Sequence, residues 1–312
     1  MSLCLSGTAV ASQFLSNEKY NAPTAQNLPT YFFIFVIFGY LFFRKNKSNN
    51  NLNDSILSSN IESEGFLEIL RNRGWKYFLL AFIDVEANFA MVYAYQFTNI
   101  TAIQLLNSFT IPAVMLLSCI FLSTRYKRGQ FAAVAICLLG LGLTIYTDAI
   151  HDKGLNSGTN KFIGDFLCLI GTFLYAVSNV SEECLVKQYS RLEFLTFIGI
   201  FGFIISLFQS YFLDYTKLIK FNWNLFSIFI LIFFTFSMVL FYSLVSSVMQ
   251  RSSALLFNIC VLTSDFYSML AGIFLFGQEF YILYLIAFII IIFGTILYNR
   301  EETNYVNENE QL

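Results

Sequence analysis

Apolar runs of roughly twenty residues recur from one end of this chain to the other, and that is the length a helix needs to cross the hydrocarbon core of a bilayer. In lipid each backbone N–H and C=O must find its partner within the spanning structure, which makes helices of such runs. They centre on residues 1–16, 28–43, 74–97, 101–123, 129–147, 162–186, 193–213, 224–247, 252–276 and 279–298. The expectation is an all-α polytopic membrane protein with ten transmembrane helices. Composition points the same way: 57% of residues are hydrophobic and 12% charged, where a soluble domain carries about 25% charge. The first run is short of the length a span needs, closed early by Asn17-Glu18-Lys19. It has no basic segment ahead of it, so a membrane helix clipped at its start is expected rather than a signal peptide.

The placement of charge sets orientation. With the N-terminus in the cytosol, thirteen Lys and Arg residues fall on the cytosolic side and five on the other, and the excess of bases marks the cytosolic face. Both termini are therefore expected in the cytosol, with the plasma membrane or a Golgi or other endomembrane as host. The 44–73 segment, with its Asn49-Asn50-Asn51-Leu52-Asn53 string, reads as a disordered cytosolic connector. Nucleic acid is excluded as a partner, since the lipid bilayer takes most of the surface. The six cysteines sit at no metal-ligand spacing.

A shift of 152 residues lays Ala102–Tyr146 on Ala254–Tyr298 without a gap, and Gly142-Leu143-Thr144-Ile145-Tyr146 then meets Gly294-Thr295-Ile296-Leu297-Tyr298. Two five-helix halves follow, 1–147 and 162–298, with a tail at 299–312. An odd number of spans per half makes the second copy enter the membrane inverted, an arrangement typical of secondary transporters.

Polar residues inside the runs are the candidate site. Asp84, Glu86 and Asn88 interrupt the run from Trp75 to Phe97, about 15 Å deep at 1.5 Å per residue. An ionised carboxylate there costs roughly 2.5–3.5 kcal/mol on insertion scales, so it faces a cavity, a partner or a proton pathway. No Lys or Arg lies in the interior of any run to neutralise it. Asp84, Asn88 and Tyr95 share one helical face, whereas Glu86 lies about 200° round from Asp84. One acid should address a cavity and the other a neighbouring helix. Gln104 and Asn107 mark the fourth run, Tyr175 and Asn179 the sixth, and Asn258 and Asp265 the ninth. All of these are candidate solute or proton contacts, and each stripe fits interhelical hydrogen bonding as well. Glu182 and Glu183, close to Lys187 and Arg191, read as a solvated salt bridge or a gate.

The strings Asp84-Val85-Glu86-Ala87-Asn88, Ser108-Phe109-Thr110-Ile111-Pro112, Gly171 to Glu183 and Leu262-Thr263-Ser264-Asp265-Phe266-Tyr267-Ser268 closely resemble solute carrier family 35, subfamily F, of the drug/metabolite transporter superfamily. The resemblance implies two inverted five-helix halves working by alternating access. It further implies a small-molecule solute: members similar to this chain are linked to queuine and queuosine, more distant ones to thiamine, and the wider family to nucleotide sugars. A nucleotide sugar needs Lys, Arg or helix N-termini for its diphosphate. Buried acids without buried bases favour a neutral or cationic nucleobase- or nucleoside-like solute, with a coupling proton as a further candidate. The nucleotide-sugar antiporter and a non-transporting scaffold are the alternatives. An enzyme would need a nucleophile with its base or a metal cluster at membrane depth. The single histidine, His151, sits in a loop and no such pairing exists. No cofactor is called for.

Overall fold

A computed structural model of the chain describes residues 1–18, 20, 22–53, 65–94, 97, 106–107, 109–121, 124–151, 161–276, 282–300 and 304–305. The helices are α1 (Ser2–Asn17), α2 (Pro23–Asn53), α3 (Phe66–Ala94), α4 (Thr110–Phe121), α5 (Arg128–His151), α6 (Lys161–Gln188) and α7 (Arg191–Gln209). A π-helical turn, Ser210–Asp214, carries α7 into α8 (Tyr215–Lys220), and α9 (Leu225–Arg251), α10 (Ala254–Phe276) and α11 (Ile282–Arg300) follow. Strand β1 (Thr124–Arg125) pairs antiparallel with β2 (Asn304–Tyr305).

The core of each apolar run falls on one of these helices. Among the described residues, four helical stretches are each long and apolar enough to cross a membrane: Pro23–Asn46, Phe66–Ala94, Arg191–Lys220 and Leu225–Arg251. Helix α9 shows why water is the wrong solvent. Leu225, Phe229, Ile232 and Phe236 recur at helical spacing and all point outward, while Ile230, Phe234 and Met238 face the bundle. An outward stripe of that kind is stable against acyl chains.

The connector is shorter than the polar composition of 44–73 suggests. Helix α2 continues through Asn53 and α3 has already begun at Phe66, leaving 54–64 outside the described residues. Propagating an existing helix adds a hydrogen bond per residue with no new nucleation cost, so α2 runs on past its apolar segment. At the start of α3, Phe66 stacks on Phe197 at 5.1 Å between ring centroids, Ile69 is buried, and Arg73 lies 3.0 Å from Glu193. Those contacts hold the first two turns against α7.

Helix α2 packs along α7, and α5 along α11, as the closest long pairs; α3 fits between α6 and α7, α1 against α9 and α10, and α4 against α6. Glycines set both close approaches. A Cβ on Gly199 would lie 2.6 Å from the Phe35 backbone nitrogen, and one on Gly202 would overlap the Tyr31 ring. At α5–α11 the contacts reciprocate: Gly140 meets Ala287 and Ile291, and Gly294 meets Ala133 and Cys137. Two apolar clusters result, one around α2, α3 and α7, the other around α4, α5, α10 and α11. Helix α9 belongs to both, giving Met238 and Tyr242 to the first and Val245 and Met249 to the second.

Candidate substrate-binding cavity

Between the two clusters lies a cavity of about 190 Å³. Part of its polar lining comes from the helix faces that the sequence marks out, and Thr8, Ser12 and Asn27 add to it from α1 and α2. On α3, Asp84 and Asn88 are one turn apart and both face inward, 6% and 4% exposed. On α6, Tyr175, Asn179 and Glu182 fall on one stripe. Asn107, just ahead of α4, and Asn258 on α10 also line it.

Asp84 is the hub. Its Oδ2 accepts hydrogen bonds from the hydroxyls of Tyr31 on α2 at 2.8 Å and Tyr242 on α9 at 2.6 Å, and its Oδ1 accepts one from Ser178 on α6 at 3.4 Å. Asn88 Nδ2 donates to the Tyr31 and Tyr242 oxygens, both at 3.0 Å, and the Tyr175 hydroxyl donates to Asn88 Oδ1 at 2.9 Å. One network thereby joins α2, α3, α6 and α9. A second pair crosses lower on α6, where Asn179 Nδ2 donates to Asn258 Oδ1 at 3.2 Å, with Asn258 Nδ2 returned to the Ala254 carbonyl. A buried amide held at both ends in this way is fixed in orientation, so the cavity presents defined acceptors and donors.

Glu86 is elsewhere, as the helical twist requires. It is half-buried between α3 and α7, where Gln209 Nε2 donates to its Oε1 at 2.5 Å, and it is not part of the cavity lining. Tyr95 and Gln104 lie outside the described residues, and the Asp265 side chain does too, although its backbone belongs to α10.

Of the solvated salt bridge expected of Glu182 and Glu183, the ion pair forms between Glu183 and Lys187, but neither acid is solvated. Both are buried, 5% and 1% exposed. Glu183 Oε2 accepts the Ala254 backbone N–H at 2.7 Å, and Lys187 Nζ sits 2.5 Å from its Oε1. It caps the first turn of α10, whose N–H groups have no partner within the helix. Glu182, one residue earlier and rotated by about 100°, looks into the cavity instead. Arg191 turns away from both and donates to Ser243 and Ser246 on α9.

Sequence reasoning missed Tyr31 and Ser178 as partners of Asp84. It also missed Asp214, fully buried at the end of the π-helical turn, which accepts the Thr24 N–H at 2.9 Å, the Ala25 N–H at 3.2 Å and the Thr24 hydroxyl. Asp214 does for the start of α2 what Glu183 does for the start of α10. The signal available for Tyr31 was its position one turn from Asn27, on the same helical face.

A helical bundle with a lipid-compatible exterior and a polar, acid-bearing cavity at its centre defines a membrane solute carrier. The relatives place it further. The model of solute carrier family 35 matches residues 1–300. Solute carrier family 35 member F2 of Mus musculus is 40% identical over 99% of this chain and 79% of its own length, and the Xenopus tropicalis member F2 is 34% identical over 100% and 77%. An uncharacterized family 35 member of Schizosaccharomyces pombe is 34% identical over 96% of this chain and 56% of its own. A solved crystal structure, 10% identical, superposes with a TM-score of 0.68 over 94% of each chain, a likeness of fold alone. The chain belongs to solute carrier family 35 and is a membrane solute transporter.

Proposed function

We propose that this carrier moves a neutral or cationic nucleobase- or nucleoside-like solute, of the queuine or queuosine kind, by alternating access between two inverted five-helix halves, 1–147 and 162–298. The observation that carries the reading is the cavity lining: it contains two buried carboxylates, Asp84 and Glu182, and no basic side chain among the described residues. A diphosphate entering it would meet like charge in a medium that screens little, and no guanidinium or ammonium to offset it. Tyr175, Tyr242 and Phe241 supply flat apolar area beside the polar network, which suits a planar heterocycle.

The two-half arrangement has support at α5–α11. Cys137 Sγ contacts the Ile291 carbonyl across a separation of 154 residues, and the same separation relates Gly140 to Gly294 and Ala133 to Ala287. Contacts that exchange under one constant shift are those of a pseudo-two-fold axis. The shift differs by two residues from the 152 that the apolar patterns favour, and Gly142, matched to Gly294 by the pattern, meets nothing within 4 Å.

Uptake into proteoliposomes holding the purified carrier tests the proposal. Queuine should accumulate saturably and be competed by queuosine, while a nucleotide sugar and thiamine should enter no faster than into empty vesicles. Faster uptake of the nucleotide sugar, exchanged against internal nucleoside monophosphate, would overturn it.

A further inference from the structure

Two buried polar atoms on the cavity wall have no hydrogen-bond partner among the described residues: Glu182 Oε1 and Asn27 Oδ1. Both are acceptors. The contrast with the neighbouring acids is sharp. Asp84 has its two oxygens occupied by three hydroxyls, and Glu183 is taken by a helix N-terminus and a lysine. Glu182 alone among these three is buried, aimed inward and left unmatched. An ionised carboxylate with no donor is strongly unfavourable in a protein interior, and among the described residues no basic side chain lines the cavity beside it. The missing donors are what a bound solute brings.

We infer that Glu182 is the residue that selects the solute, by pairing with a protonated amine or an equally N–H-rich cationic group, and that Asn27 Oδ1 accepts a further hydrogen bond from the same ligand. This deepens the preceding reading and rests on it: of the neutral and cationic solutes allowed there, the cationic class is favoured, and the charge is read by Glu182. Asp84 cannot take that part without first giving up its tyrosines. The α6 stripe then works as a unit, with Tyr175 and Asn179 beside the ring and Glu182 two turns from Tyr175 at the amine.

Binding to the purified carrier decides it, with queuine, which bears a protonated secondary amine, and 7-deazaguanine, the same ring system without that arm. In Glu182→Gln, queuine affinity should fall at least tenfold and 7-deazaguanine affinity less than threefold, with Glu182→Asp in between. A tenfold loss for both probes, or for neither, overturns the assignment. If the unmutated carrier binds neither probe, the nucleobase reading is what fails, and Glu182 is then judged by dicyclohexylcarbodiimide, which modifies carboxyl groups in apolar surroundings. Peptide mapping should find the N-acylurea on Glu182 and not on Asp84, formed at least threefold more slowly with cyclopentylammonium present. Modification of Asp84 instead, or no slowing by the ammonium, overturns the proposal.

Discussion

Asp84 and Glu86 sit two residues apart in one helix, and their surroundings set them different tasks. Asp84 is 6% exposed and organises Tyr31, Tyr242 and Asn88 around the cavity. Glu86 is half-buried and touches only Gln209 among the contacts described. A charged hydrogen bond to a buried partner contributes about 1.5–3 kcal/mol, so loss of the Asp84 charge weakens both tyrosine contacts together. Asp84→Asn should therefore cut uptake more than tenfold in carrier that still reaches the membrane, and Tyr242→Phe about fivefold, whereas Glu86→Gln should keep at least half of it. Uptake normalised to the amount of carrier in the membrane checks this, and a Glu86→Gln carrier as impaired as Asp84→Asn would sink the distinction. The spacing of Asp84, Glu86 and Asn88 was enough to separate the faces, because helical twist is a local property. The partners were not readable. Tyr31 lies 53 residues from Asp84 and Tyr242 158 residues from it, and nothing local to either position states that they meet.

At the scale of elements, the cavity depends on how tightly α2 lies against α7. Without a hydrophobic drive between helices in lipid, close backbone approach over small residues is what holds such a pair. Gly199 and Gly202 provide it, but they meet different neighbours. A methyl at Gly199 would strike Phe35 backbone atoms, at 2.6 and 2.8 Å, so the helices themselves must part. The three atoms nearest a methyl at Gly202 all belong to the Tyr31 ring, so that ring must shift, and a shift withdraws its hydroxyl from Asp84. Gly199→Ala should then act on stability, lowering the thermal unfolding midpoint of the purified carrier by several degrees. Gly202→Ala should act on binding, weakening the solute severalfold with a smaller thermal shift. Equal effects of the two on both measurements would refute this account. The helix starts carry a related lesson. The apolar runs announced α2 and α10, yet the carboxylates that cap them, Asp214 and Glu183, belong to the turn after α7 and to α6, respectively. Hydropathy marks a span and is silent about which distant side chain satisfies its end. For Glu182 and Glu183 the ion pair to Lys187 was legible in the sequence but the burial was not, because adjacent acids near Lys187 and Arg191 resemble a solvated cluster until the helix is seen to pass through a packed wall.

For the whole molecule, the direction of each helix through the bilayer follows once one face is assigned. Helices α7 and α8 run as a single span from Arg191 to Lys220, so Ser190, between α6 and α7, and Asn222, between α8 and α9, belong to opposite faces. The cap supplied by Glu183 lies towards the first face and that supplied by Asp214 towards the second, so among the described residues a buried carboxylate fixes the start of a cavity helix at either end of that span. From the excess of Lys and Arg in the loops we propose that Ser190, with both termini, faces the cytosol. That assignment can be measured on a carrier with its six cysteines replaced by serine. A membrane-impermeant maleimide added to intact cells displaying the carrier should label Asn222→Cys at once and Ser190→Cys only after permeabilisation. The reverse pattern would invert the molecule in the membrane and place the Asp214 cap on the cytosolic side. Labelling of both before permeabilisation would mean that Arg191–Lys220 does not cross the bilayer, and the two-half arrangement would fail with it, since each half requires that span to return the chain to the far face.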